Sequence, residues 1–159
     1  MVATNYKPVG GVESCALYAT DAVAAALFSG SECSVSFSAE PLVVELLDDA
    51  SHYIEEVTND TGGHSVKHTL TLVADHAKGG AWLDEEFVER ATSQGVVAVV
   101  RLCSGRELLV GYSAHLADEQ PLLLASLSLS SGRKLLDTPQ ITLTLVSHDT
   151  ELSHEIVKQ

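Results

Sequence analysis

The architecture turns on residues 51–75, SHYIEEVTNDTGGHSVKHTLTLVAD. Asn59, Asp60, Gly62 and Gly63 supply turn chemistry between two β-favouring runs. On the returning run Val66, His68, Leu70 and Leu72 share one face, and Ser65, Lys67, Thr69 and Thr71 share the other. A period of two is the signature of a half-buried strand, so the stretch predicts an antiparallel hairpin with one dry face.

The same alternation recurs toward both ends. CSVSFSAE (33–40) sets Cys33, Val35 and Phe37 against Ser34, Ser36 and Ser38. LASLSLSSG (124–132) sets Leu127 and Leu129 against Ser126, Ser128 and Ser130, with the leucines expected to face the core. PQITLTLVSHD (139–149) sets Ile141, Leu143 and Leu145 against Thr142 and Thr144. VVAVVRLC (96–103) is apolar without alternation, which predicts a strand buried on both faces. SGRE (104–107) makes a tight turn and LLVGYSAHL (108–116) returns from it. VESCALY (12–18) reads as a first strand, LVVELL (42–47) as extended chain, and GRKLLDT (132–138) as a loop or short crossover.

Two segments read as helical. In AWLDEEFVERATSQG (81–95) the acids Asp84, Glu85 and Glu86 occupy the first turn, where the helix dipole favours negative charge. Leu83, Phe87 and Ala91 form its stripe, and Gly95 closes it. In TDAVAAALFSG (20–30), Thr20 or Asp21 caps a short helix over the alanine run, ended by Gly30. The tally is about eight strands and one substantial helix. It predicts a mainly β fold, an antiparallel β-sandwich or barrel with one packed α-helix.

The 159 residues suit one domain, 1–159, in which residues 1–11, with Pro8, Gly10 and Gly11, form an arm that is mobile alone or pinned by a neighbour. The chain is 45% hydrophobic but only 5% aromatic, so the core is built from Leu, Val and Ala. Twenty-two acidic and nine basic residues leave a net charge of −13. That excludes ordinary nucleic-acid binding, which needs clustered cations to replace counterions. The acidic balance reads first as plain solubility, and it leaves room for an acidic wall past which DNA moves without sticking. The start MVATNYKPVGG lacks the apolar core of a signal peptide, and no apolar run approaches the ~20 residues of a membrane span. Three widely spaced cysteines, Cys15, Cys33 and Cys103, read as buried thiols in a reducing cytosol.

Candidates for chemistry are weak. His64 and His68 share a strand face but stand ~13 Å apart along it, too far to hold one ion, although His52 could pair with one of them across the hairpin. The expectation is surface or interface histidines and no metal. Asp84, Glu85, Glu86 and Glu89 are explained as helix-terminal and solvated acids. Ser147, His148 and Asp149 are consecutive, so a strand sends them to opposite faces and no local triad forms. Cys103, at the end of an apolar strand, reads as core. No glycine-rich phosphate loop is present, so no catalytic, cofactor or metal residues are assigned and the chain is expected not to be an enzyme.

What remains is a polar second face made of Ser and Thr at positions 34, 36, 38, 69, 71, 126, 128, 130, 142 and 144. Small hydroxyl side chains tolerate water, a lumen or close approach by another copy.

The succession of hairpin SHYIEEVTNDTGGHSVKHTLTLV (51–73), helix, GVVAVVRLCSGRELLVGYS (95–113) and paired C-terminal strands resembles bacteriophage tail-tube and related virion proteins. It is similar in particular to short phage or prophage structural proteins of Bacteroides-type hosts, over roughly residues 42–148. The resemblance implies six-membered rings whose sheets join edge to edge around an inner wall, and rings that stack. Residues 1–11 and the turn from Asn59 to Gly63 would bridge rings. It implies as partners the chain itself and other virion tail proteins, DNA passing without specific binding, no membrane, and a place in the virion. A tail terminator, head–tail adaptor or hub component is the first alternative, and a non-viral β-barrel that binds a small ligand is the second.

Overall fold

The computed structural model describes residues 11–44, 46, 51–60, 63–75, 85–114, 119–130, 140–149 and 151–157. Residues 1–10, the body of the proposed arm, lie outside this set, as do residues 61–62 and residues 131–139, which include the expected loop or crossover at 132–138. Among the described residues, β1 (Val12–Ala19) leads through a 3-10 turn (Thr20–Ala22) to β2 (Val23–Ser29), β3 (Glu32–Phe37) and β4 (Leu42–Val44). The central hairpin is β5 (His52–Asp60) and β6 (Gly63–Asp75). After α1 (Glu85–Ser93) come β7 (Val96–Leu102), β8 (Glu107–Val110), β9 (Leu123–Ser130), β10 (Gln140–Asp149) and β11 (His154–Ile156).

The strands form a seven-stranded sheet, ordered β2-β3-β11-β8-β7-β1-β4, and a four-stranded sheet, ordered β5-β6-β10-β9. All pairings are antiparallel except β11 with β3. The sheets do not close on themselves, so of the two expected architectures this is the sandwich with one helix. Its main core lies between the sheets, where Leu70, Leu72, Ile141, Leu143 and Leu145 meet Leu17, Ala98, Val100 and Val110.

The period-two reading of the hairpin holds residue by residue. Val66, His68, Leu70 and Leu72 are buried, and Asp60 pairs with Gly63, which leaves a two-residue turn. The helix also lies where its pattern put it, with Phe87 and Ala91 buried. Gly95 ends it at φ +81°, and a Cβ there would stand 2.6 Å from Pro121 Cγ. Only glycine fits both the backbone angle and the space.

The alanine run departs from expectation. Ala19, not Thr20 or Asp21, is the cap position of the 3-10 turn, and it makes no side-chain cap bond. Residues 23–29 then run extended as β2, with Ala26 and Phe28 half-buried and Ala25 and Leu27 exposed. A seven-residue segment is too short for a helix to sustain itself in water. Pairing with β3 satisfies its backbone on one side, and Phe28 gains ring contacts with Tyr112 at 6.2 Å and His154 at 4.7 Å. Gly30, at φ +60°, belongs to the β2–β3 turn rather than a helix end. With β2, β4 (expected only as extended chain) and the short β11, the strand count among the described residues rises from about eight to eleven.

The seven-stranded sheet is strongly curled. In a flat sheet β1 and β3 would stand about 19 Å apart, four strand spacings. Instead Tyr18 on β1 stacks on Phe37 of β3 at 3.6 Å between ring centroids. The β2–β3 hairpin thus folds back over its own sheet and encloses a second, smaller core around Cys33, Val97 and Leu109. This is why β7 is apolar on both faces: Val96, Ala98 and Val100 serve the main core, and Val97 serves the second.

Candidate functional site

The hydroxyl residues of the four-stranded sheet come together on its outer face. Register places Ser126 beside Thr144 and Thr144 beside Thr71, while Ser128 lies beside Thr142. The serines are exposed and Thr69, Thr71, Thr142 and Thr144 are half-buried. Of the ten positions singled out in the sequence, the seven at 69, 71, 126, 128, 130, 142 and 144 share this face. Ser34, Ser36 and Ser38 do not: they belong to β3 and its end, in the other sheet. Glu56 opposes Lys67 on this face near the hairpin turn.

The leucine side of β9 needs correction. Leu124 and Leu127 pack against the core, but Leu129 is 56% exposed. A bulge at Ala125 shifts the register against β10 between Thr144 and Leu145. Leu129 lies toward the far end of the sheet, opposite Ile141.

A second polar feature lies inside the fold. Glu55 on β5 stands directly opposite His68 on β6, with both side chains turned inward. The Tyr53 hydroxyl donates to Glu55 Oε1 at 2.7 Å and lies 2.6 Å from His68 Nδ1. His68 Nδ1 is itself 3.4 Å from Glu55 Oε1. The backbone N–H of Ser153 donates to the same oxygen at 2.9 Å, and the Ser153 hydroxyl donates to it as well. On its other side His68 Nε2 donates to the Glu151 carbonyl oxygen at 3.0 Å. Burial raises the Glu55 carboxyl, but hydrogen bonds from His68, Ser153 and Tyr53 outweigh it and bring it from 4.5 down to about 2. Burial, and then the neighbouring Glu55 charge, push the Tyr53 hydroxyl well above its usual range.

This cluster is a latch. It holds residues 151–153 against the β5–β6 hairpin, and β11 then enters the other sheet between β3 and β8. A cleft of about 350 Å³ borders Tyr53, Glu55 and Ser153, with Arg106 on its rim. Glu55 Oε1 is already saturated by donors, which suits a fixed joint better than a proton acceptor.

The expectation of surface histidines fails at two positions. His68 is 4% exposed and His154, edge-on to Phe28, is also buried. Apolar neighbours in the alternation carry His68 inward, and Tyr53, Glu55 and the Glu151 carbonyl give it partners there. His52 opposes Thr71, not another histidine, and His64 opposes Asn59. No three potential metal ligands cluster among the described residues. Ser147 and Asp149 point inward and His148 outward, so the consecutive Ser-His-Asp is split as a strand requires. Ser147 Oγ donates to the Gln120 carbonyl at 2.7 Å. Glu85, Glu86 and Glu89 are exposed on α1, where Glu86 meets Arg90 at 2.8 Å; Asp84 lies outside the described residues.

The cysteines divide. Burial pushes Cys15 up to about 12 and Cys33 up to about 11, so both thiols stay protonated. Cys103, expected in the core, is exposed because β7 ends at Leu102 and the chain turns there. No described helix is long and apolar enough to cross a membrane.

Sequence reasoning overlooked the latch, although counting pairs back from the turn brings Glu55 opposite His68. The chain matches no known protein family, no curated protein and no solved structure.

Proposed function

We propose that this protein is a structural subunit that assembles with itself, of the bacteriophage tail-tube kind. Six copies form a ring, rings stack, and the hydroxyl face of the four-stranded sheet lines the hole. One observation carries this reading: a broad, solvent-facing sheet surface with Ser126, Ser128, Thr142, Thr144, Thr69 and Thr71 on three adjacent strands. Beyond Lys67 near the hairpin turn, the described residues of this face include no Lys or Arg to hold phosphate, and the chain's net charge of −13 keeps DNA at a distance. DNA then passes without specific binding.

Electron microscopy of the purified protein across concentration, with mass by light scattering, tests the proposal. Hollow rings or stacked tubes are the expected result. Discrete rings that never lengthen would favour a tail terminator, head–tail adaptor or hub component. A monomer at every concentration would overturn self-assembly.

A further inference from the structure

Among the described residues each sheet has two outer strands, which gives four edges. Exposed edges invite pairing with other chains, and proteins guard them with short length, proline, charge or a covering helix. Three of the four carry such a guard. β4 is three residues long and begins just after Pro41. β5 carries Glu55, Glu56 and Asp60. β9 is uncharged, but α1 packs beside it.

β2 carries none of these four guards; its one protection is a bulge near its start, at Ala24, and Ala25–Ser29 pair regularly with β3. Its sequence, VAAALFS, has no charge and no proline. Among the described residues, β3 is the only strand paired with it. Leu27, at its outward face, is 69% exposed, more than any other large apolar residue described.

We propose that the free edge of β2 docks a second copy of this chain, whose own β2 adds as an antiparallel strand across a two-fold axis. Two arguments choose the occupant. A second copy presents the same single open edge, so strand addition between copies uses β2 on both sides. That contact is isologous, and the two-fold keeps apolar residues on matching faces. Charge points the same way. Two chains of −13 repel over most of their surfaces, and the β2 edge is free of charge along its whole length. With the axis through Ala26, Leu27 of one copy lies over the small Ala25 of the other. Exposed Asp21 and Glu32 then approach each other at both ends of the joint, so salt strengthens the pairing by screening them. The proposal goes beyond the ring reading, because it concerns an edge of the seven-stranded sheet and not the hydroxyl face.

The test uses the full chain carrying Cys103→Ser, which removes the exposed thiol, with single cysteines at Ala24→Cys, Ala25→Cys, Ala26→Cys and Leu27→Cys. Only the residue on the axis lies opposite itself within disulfide reach. Mild oxidation is expected to give a covalent dimer at one of these positions, falling away on either side. Ala25→Lys, at an exposed site, is expected to halve the particle mass measured by light scattering, while added salt raises association of the parent. Absence of a crosslink at all four positions, or an unchanged mass for Ala25→Lys, overturns the proposal. Rings that persist in either case would leave the ring reading standing; a crosslinked dimer without rings would sink the ring reading and leave this one.

Discussion

β7 and β10 are both long interior strands, yet they meet different surroundings. β7 reads VVAVVRL and is covered on both faces, by the main core on one side and the Cys33–Val97–Leu109 cluster on the other. β10 reads QITLTLV over its first seven residues and is covered on one face only. The difference arises from the chain's path. The seven-stranded sheet curls until its β2–β3 end lies over its own outer face, whereas the outer face of the four-stranded sheet keeps Ser126, Ser128 and Ser130 exposed. Each strand's residues match the environment that path creates.

The contrast can be attacked one residue at a time. Leu143→Ala removes a fully buried side chain from the inward face of β10 and leaves a cavity between the sheets. Denaturant unfolding should show a loss of about 3 kcal/mol. Val97→Thr keeps shape but places a hydroxyl in the second core, among Cys33, Leu109 and the half-buried side chains packed on them. It should cost about 2 kcal/mol, and a neutral result would mean that the β2–β3 cover stands off in solution.

Glu55→Gln removes the charge that gathers Tyr53, His68 and Ser153, at about 1–3 kcal/mol near neutral pH. The parent should also show a pH signature that the variant lacks. Glu55 is held at about 2 when folded, against 4.5 for the free carboxyl. Its contribution is therefore complete above pH ~4.5 and lost as pH falls from there toward 2. Urea midpoints from pH 6 to 2.5 should slope more steeply in the parent; parallel curves would remove Glu55 from the latch.

The smallest effect belongs to Thr144→Val on the hydroxyl face. Stability should change by less than about 0.5 kcal/mol, because water or a neighbouring copy, not the core, receives that hydroxyl. A large loss would show that the outer face carries part of the fold's stability.

Much of this was legible beforehand. The alternation in residues 65–72 and 141–145 gave strand and face, because a period of two has one reading when half of it is apolar. Gly95 and the acids of α1 gave the helix its limits. The latch was half legible: turn chemistry set the pairing of Glu55 with His68, but Ser153 and Glu151 reach it from about a hundred residues away. The alanine run misled because local propensity favours helix, while the decision rested with β3, which accepts its backbone, and with Tyr112 and His154, which receive Phe28.

By itself, then, the sequence determined a mainly β chain with one substantial helix, which residues of β6 and β10 are dry, and an acidic balance of charge. Side-chain period and composition are local properties, and they survive without knowledge of neighbours. The tertiary structure alone decided that the sheets stay an open sandwich, that β2–β3 curls back to make a second core, that Cys103 lies outside and His68 inside, and that one edge is left unguarded. Those outcomes depend on contacts between residues distant in the chain, and no local pattern encodes where a sheet ends.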